Sequence, residues 1–278
     1  MRKVLLVAGF TLREALRRRF LLILAAAAVV VLALFGLVIS RAWPETLRHL
    51  TPVQARAGIW LGARIFLGAL NILAAIAAIF LAAGGIGPEV ENGSMHLLLT
   101  RTVSRAQVFL GKLLATASLA GLFSLFLAAG VGLSLVLAGP GWPPGWHYVL
   151  LIFPVGPILL AAFALGLSTR LGTIGTGITT LMLFVVAQVG TMLETLGNVS
   201  GSSTLMNTGI VISLLSPIDA VYRWMIYRWT DGIGVVGALM RSTGMEAPAP
   251  SVWMLVWAAG WLVVVILVGT RSFRTRDL

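Results

Sequence analysis

Residues 104–138, SRAQVFLGKLLATASLAGLFSLFLAAGVGLSLVLA, decide the fold because they read as one uninterrupted helix. Ser104 followed by Gln107 is a capping box, which predicts that the helix begins at about residue 105. At about 1.5 Å per residue, roughly 34 residues extend about 51 Å, whereas the hydrocarbon core of a membrane is about 30 Å thick. We therefore predict a helix that crosses a membrane and projects well past it on one side.

The composition agrees with a membrane protein. Of the 278 residues, 59% are hydrophobic and only 10% are charged, whereas soluble domains carry about 25% charged residues. The fold class that we predict is an all-α integral membrane protein. The chain has no cysteine, which excludes disulfides, thiolate metal sites and a cysteine nucleophile. The net charge of +11 is attributed to the flanks of membrane spans rather than to nucleic-acid binding.

Apolar stretches of about 20 residues predict six transmembrane helices in one domain, 1–278. The predicted spans are about 20–40, 65–85, 113–138, 148–168, 172–192 and 251–270. Pro154 and Pro157 are expected to kink the fourth span. Residues 193–250 form a long connector, in which the run 205–215 is too short to cross and is predicted to be re-entrant or interfacial. Ser216-Pro217 then predicts the start of a helix with four aromatic residues, suited to the membrane interface.

The distribution of charge predicts the orientation. With the amino terminus inside, the inner segments hold 13 of the 20 basic residues but only four of the nine acidic ones. This asymmetry follows the positive-inside rule and places both termini in the cytoplasm of a multi-pass protein of the cell (inner) membrane. All nine tryptophans fall in the outer segments or no deeper than about the middle of a span, which predicts an outer vestibule or an interfacial aromatic collar.

Residues 1–19 are predicted to form an amphipathic helix lying in the inner interface. At 100° per residue, one face carries Leu5, Ala8, Leu12 and Leu16. The other face carries most of the charges, and Leu6 and Phe10 lie among them, close to Arg13 and Arg17. Apolar side chains on a wet face are candidates for contact with a partner protein.

The connector at 86–105 is predicted to form a short helix on the inside, between two projecting helices. Pro88 suits a first helical turn, where Glu89 and Glu91 are favoured by the helix dipole. The leucines that follow give the segment an apolar side, which predicts either a docking element or a capped loop. Two carboxylates at i and i+2 do not face each other on a helix, so catalysis there is not expected.

Few polar residues lie at membrane depth. Asn71 and Gln188 are candidates for a substrate pathway, although hydrogen bonding between helices is the simpler explanation of such residues. The predicted spans contain no series of Asp, Glu or His, which argues against a proton- or sodium-driven pump. No catalytic residue, metal site or Walker A motif is recognised, so any ATP hydrolysis requires another chain.

Residues 84–112 resemble the permease subunits of type-2 ABC exporters, in which an acidic pair, Gly-Ser, a leucine pair, a short run ending in Arg, and Gly-Lys follow one another. The matching residues here are Glu89, Glu91, Gly93, Ser94, Leu98, Leu99, Val103, Ser104, Arg105, Gly111 and Lys112. Thr102 stands where the family usually has proline. The six-span layout is also similar to that of the permease for nitrous-oxide reductase maturation.

The resemblance implies a permease that dimerises, as a homodimer, and docks on a separate ABC ATPase. Residues 86–105 would be the coupling helix, with Glu89, Glu91, Gly93, Ser94, Leu98, Leu99, Ser104 and Arg105 contacting the ATPase. Residues 1–19 would be the elbow helix, whose contacts with the ATPase would include Leu6, Phe10, Arg13 and Arg17. This chain would need no cofactor of its own, while ATP and Mg²⁺ would be bound by the ATPase.

Two other functions stay open at this point. The first is a membrane scaffold that transmits movement of an ATPase to an extracytoplasmic partner, which would suit the long connector 193–250. The second is an integral membrane enzyme that modifies lipids. The second requires a constellation of acidic or histidine residues at the interface, and the three histidines are scattered along the chain.

Overall fold

The computed structural model describes residues 2–16, 19–87, 104–231, 234 and 251–275. These residues form ten α-helices and no strand: α1 (Arg2–Leu16), α2 (Arg19–His49), α3 (Pro52–Ala83), α4 (Arg105–Ala138), α5 (Trp146–Ile152), α6 (Val155–Ser168), α7 (Thr173–Ser200), α8 (Ser203–Leu215), α9 (Ile218–Asp231) and α10 (Val252–Arg274). Six segments are long and apolar enough to cross a membrane, if α5 and α6 are taken as one. The all-α membrane fold is therefore confirmed.

Helix α4 has the length that its sequence predicts, 34 residues. The Ser104 hydroxyl accepts a hydrogen bond from the Gln107 N–H at 3.3 Å, and the Gln107 side chain accepts one from the Ser104 N–H at 3.1 Å. The reciprocal bonds satisfy two amides that the first turn leaves unpaired. Gly139 ends the helix in the left-handed conformation, with φ of 109°.

The outer connector predicted at 41–64 is almost entirely helical. Helix α2 continues to His49 and α3 begins at Pro52. A second capping box explains the early start of α3, because Thr51 and Gln54 exchange side-chain and backbone hydrogen bonds. The sequence pattern contained this signal, but apolar length alone places the boundary too late.

The later spans also differ in their boundaries. The predicted fourth span is interrupted at Phe153 and Pro154, between α5 and α6, at the first of the two prolines expected to kink it. Helix α7 continues to Ser200, well beyond the predicted end at residue 192. The extension places Glu194 inside a helix rather than in a connector.

Helices α8 and α9 form a sharply bent pair, with an angle of 111° between them. At about 1.5 Å per residue, neither the 13 residues of α8 nor the 14 of α9 can span a bilayer alone. The predicted cap of α9 does not form, because the Ser216 hydroxyl is buried and finds no hydrogen-bond partner in the described part of the chain. The bend fits a re-entrant pair or a broken seventh span.

The core consists of two clusters stacked along α3 and α4. One cluster contains the residues of α3 up to Ala74 and the distal half of α4, packed with α2, α5 and α9. The other contains the remainder of α3 and the first turns of α4, packed with α6, α7 and α10. An alanine-rich face of α3 lets neighbouring helices approach closely, as small residues do in membranes.

The predicted aromatic collar is wrong for two of the tryptophans. Trp146 and Trp229 are fully buried, and their rings pack edge to face at 4.9 Å. Trp229 belongs to α9, so the helix predicted to lie in the interface instead inserts one face into the core. The bend after α8 brings this face inward, and sequence spacing does not predict that bend.

Candidate functional site

The amino-terminal helix α1 crosses α4 at very close range. A Cβ added at Gly111 would lie 2.7 Å from Val7 Cβ and 2.9 Å from the Val4 carbonyl oxygen. Real Cβ atoms are not found so close to other atoms, so a side chain at residue 111 would force the two helices apart. The glycine of the Gly-Lys pair is therefore the contact point between α1 and α4.

The face of α1 that packs against the protein overlaps only in part with the predicted apolar face, sharing Ala8 and Leu12 with it. Leu5 and Leu16 are more than half exposed, whereas the less exposed residues include Val4, Val7, Ala8, Thr11, Leu12 and Ala15. The predicted apolar face was assigned to the membrane interface, and the exposed side chains of Leu5 and Leu16 stay assigned to it as a prediction. Small and β-branched residues fit the close crossing better than leucines do.

The residues singled out on α1 lie away from α4. Leu6 is 61% exposed and Phe10 is 69% exposed, and Arg13 is exposed beside them. The successive spacing of these three residues places them on one side of the helix. Arg17 lies outside the described residues, so the predicted contact surface consists here of Leu6, Phe10 and Arg13.

Lys112 joins α4 to the end of α3. Its side chain is only 3% exposed, and Nζ donates a hydrogen bond to the Gly85 carbonyl oxygen at 2.6 Å. Gly84 caps the carboxyl end of α3, where free carbonyls attract a cation. A cavity of about 130 Å³, lined by residues including Thr11, Glu14 and Lys112, lies where α1, α3 and α4 meet.

We refer to this meeting point, formed by Val7, Gly85, Gly111 and Lys112, as the joint. The joint flanks the predicted coupling segment 86–105 in the sequence, since Gly85 comes directly before the segment and Gly111 and Lys112 follow it. Arg105, at the start of α4, donates from Nη1 to the carbonyl oxygen of Arg274 at 3.2 Å. The predicted contact residues Glu89, Glu91, Gly93, Ser94, Leu98 and Leu99 lie outside the described residues.

The two candidate pathway residues are not brought together by a hydrogen bond. Asn71 is buried on α3, with 5% exposure. Gln188 lies on α7 and is partly exposed. The described hydrogen bonds include none between their side chains, so a shared substrate path stays a prediction.

A buried charge cluster, which the sequence analysis missed, ties α7 to α9. Glu194 and Asp219 are each 3% exposed and Arg223 is 8% exposed. The Arg223 guanidinium donates to both Glu194 carboxylate oxygens, at 3.2 Å for the bond from Nη2, and its Nε lies 3.0 Å from Asp219 Oδ2. Three ionisable side chains are therefore held together away from water, where a buried charge requires a partner.

Hydroxyl groups complete the charge cluster. Ser213, on α8, donates to a Glu194 oxygen, and Thr191 donates to Asp219. The cluster therefore joins α7, α8 and α9, which we call the α7–α9 segment. Two signals were present in the sequence: Asp219 and Arg223 are spaced i, i+4, and Glu194 follows an apolar run without a helix breaker. Their meeting depends on the bend between α8 and α9.

A family model described as ABC-2 family transporter protein matches residues 11–278. The match covers nearly the whole chain, and the chain belongs to this family. It is thus a multi-pass membrane permease of the ABC transporter class, as the resemblance implied, and membership implies an ABC ATPase as partner. No curated protein gives a significant match to the chain.

Proposed function

We propose that this chain is the membrane subunit of an ATP-driven exporter, and that a separate ABC ATPase supplies the energy. The observation that carries the proposal is the joint. At the joint, the elbow helix α1, the end of α3 and the long helix α4 are held by one close crossing and one buried lysine. A displacement of the segment between Gly87 and Ser104 would be passed directly to two membrane-spanning helices.

The ATPase is proposed to contact two surfaces on the cytoplasmic side. One is the coupling segment 86–105, with Glu89, Glu91, Gly93, Ser94, Leu98 and Leu99. The other is the exposed side of α1, where Leu6 and Phe10 leave apolar surface uncovered. ATP and Mg²⁺ would bind in the ATPase, so this chain would carry out no hydrolysis itself.

The proposed assembly is a homodimer in the inner membrane with both termini in the cytoplasm. Export is proposed because the chain resembles exporters along the connector 84–112. The more particular similarity to the nitrous-oxide reductase maturation permease stays a prediction. An extracytoplasmic partner also stays a prediction.

The test requires the full chain and the ABC ATPase that co-purifies with it, reconstituted together in liposomes. We expect Glu91→Lys and Gly93→Leu to reduce stimulated ATP hydrolysis while the permease remains folded. Glu45→Lys is the matched control, because Glu45 is an exposed acid at the distal end of α2. Normal stimulated turnover in both connector variants would contradict the proposal.

The same preparation separates transport from mechanical transmission. Uptake of candidate substrates into inside-out vesicles supports an exporter. ATP hydrolysis that the permease stimulates without movement of any substrate class would favour the scaffold function. Loss of an extracytoplasmic partner when residues 193–250 are mutated would then support that function.

A further inference from the structure

A groove runs between α6 and α10 on the surface of the helix bundle. The two helices lie side by side in parallel, with the rings of Phe163 and Trp261 stacked at 5.5 Å near one end. Near the other end, the Thr169 hydroxyl donates to Ser272 Oγ at 2.9 Å. The groove between these contacts encloses about 610 Å³.

The groove has two chemically different halves. Leu167, Val264 and Val268 line its apolar half, and the two valines are more than half exposed. Arg170 and Arg271 line the half at the helix ends, together with hydroxyl groups. The lining contains no carboxylate from the residues that the structure describes.

Arg170 is held in place by neutral groups. Its Nε donates to Ser272 Oγ at 2.8 Å, and its Nη2 donates to Thr275 Oγ1 at 3.5 Å. Hydroxyl acceptors orient a guanidinium without neutralising its charge, so Arg170 keeps its affinity for an anion. The planar guanidinium is well suited to phosphate oxygens.

We propose that this groove binds an anionic phospholipid, whose phosphate contacts Arg170 and Arg271 and whose acyl chain lies along Val264 and Val268. Charge complementarity selects this occupant, because a basic pocket between helices at the membrane boundary suits an anionic headgroup. The length of the groove also fits an acyl chain and its headgroup. From Trp261 to Thr275, α10 rises roughly 21 Å at about 1.5 Å per residue, somewhat more than one leaflet of a bilayer about 30 Å thick.

A second copy of the chain fits this groove less well than a lipid does. Two copies related by a two-fold axis along the membrane normal present the same end of each groove to one another. Arg170 and Arg271 of both copies would then lie together, with four positive charges at one contact. A lipid with a net negative headgroup removes this repulsion, whereas a second copy adds to it.

The experiment uses the full chain, purified in detergent and titrated with dioleoyl phosphatidylglycerol or dioleoyl phosphatidylcholine. Native mass spectrometry counts the lipids retained at each concentration. We expect a strong preference for phosphatidylglycerol in the wild-type protein. The double variant Arg170→Gln/Arg271→Gln should bind it roughly thirtyfold more weakly, since each basic residue near anionic lipid contributes about fivefold.

Matched controls separate this site from general charge effects. Arg41→Gln/Arg56→Gln removes the same charge from two exposed positions elsewhere, and should leave binding unchanged. Val264→Trp fills the apolar half and should weaken lipid binding even though both arginines remain. If a variant does not fold, the comparison of the two lipids on the wild-type protein still tests the proposal.

Four results would overturn the proposal. Equal retention of the two lipids would leave no role for the arginines, and an equal loss in the control variant would show that the effect is not local. Displacement of the lipid by inorganic phosphate would indicate a site for a free anion. Efficient disulfide cross-linking between copies that carry Val264→Cys, in a chain otherwise free of cysteine, would show that a second copy occupies the groove.

Discussion

Removing the positive charge from the buried cluster tests how the α7–α9 segment is held together. In Arg223→Leu, the carboxylates of Glu194 and Asp219, each only 3% exposed in the wild-type protein, lose their shared guanidinium. Removing one partner of a buried ion pair costs about 3–5 kcal/mol, because the remaining charge is left uncompensated. We expect the free energy of unfolding to fall by about that amount.

The expected change can be read as a melting temperature. With about 2–4 °C per kcal/mol, as in soluble domains of 150–250 residues, Arg223→Leu should lower Tm by roughly 6–20 °C. The assay is thermal unfolding of the purified chain in detergent, followed by tryptophan fluorescence. Trp229, one of the nine tryptophans, contributes to this signal from the core on the same helix as Arg223.

Arg228 provides a matched control on α9. Its guanidinium is exposed and lies 5.0 Å from the centre of the Trp224 ring. An exposed cation–π contact contributes about 0.5–1 kcal/mol, so Arg228→Leu should change Tm by a few degrees at most. Equal decreases of Tm in Arg223→Leu and Arg228→Leu would refute the reasoning that the cluster stabilises the α7–α9 segment.

Three further predictions concern the joint and the orientation. Lys112→Met should lower the free energy of unfolding by about 1.5–3 kcal/mol, the contribution of a hydrogen bond to a charged group, with Lys112→Arg losing less; thermal unfolding measures both. Gly111→Leu should separate α1 from α4 and reduce hydrogen-exchange protection of α1. Gly58→Leu, where a Cβ meets nothing within 4 Å, should leave that protection unchanged. Single cysteines replacing Ser94 and Ser202 should label from opposite sides of the membrane, and labelling from one side would contradict the six-span orientation.

Residues 104–138 show where sequence reasoning succeeds. The capping box at Ser104 and Gln107 and the absence of a breaker are local properties, and α4 begins and ends where they predict. At the start of α3, a local signal gives the right boundary and apolar length gives the wrong one. The Thr51–Gln54 box marks the start of α3 at Pro52, whereas hydropathy places the start of the span at about residue 65.

The candidate site also has some features that the sequence predicts and others that it does not. The exposure of Leu6 and Phe10 could be predicted from their spacing among charges. The packed face of α1 could not, because it depends on Gly111 in a helix about 100 residues away along the chain. A glycine allows close packing only when its neighbour in space is known, and sequence spacing does not supply that neighbour.

The sequence by itself determined that this chain is a helical membrane protein with six long apolar segments and a polar connector after the second. Hydrocarbon thickness, helix caps and charge asymmetry act on residues close together in the chain, and each can be read from composition and spacing. Only the tertiary structure decided that Lys112 reaches Gly85, that Trp146 and Trp229 are core residues, and that Arg223 meets Glu194. Those contacts join residues distant in sequence, and they follow from how bent and crossing helices pack.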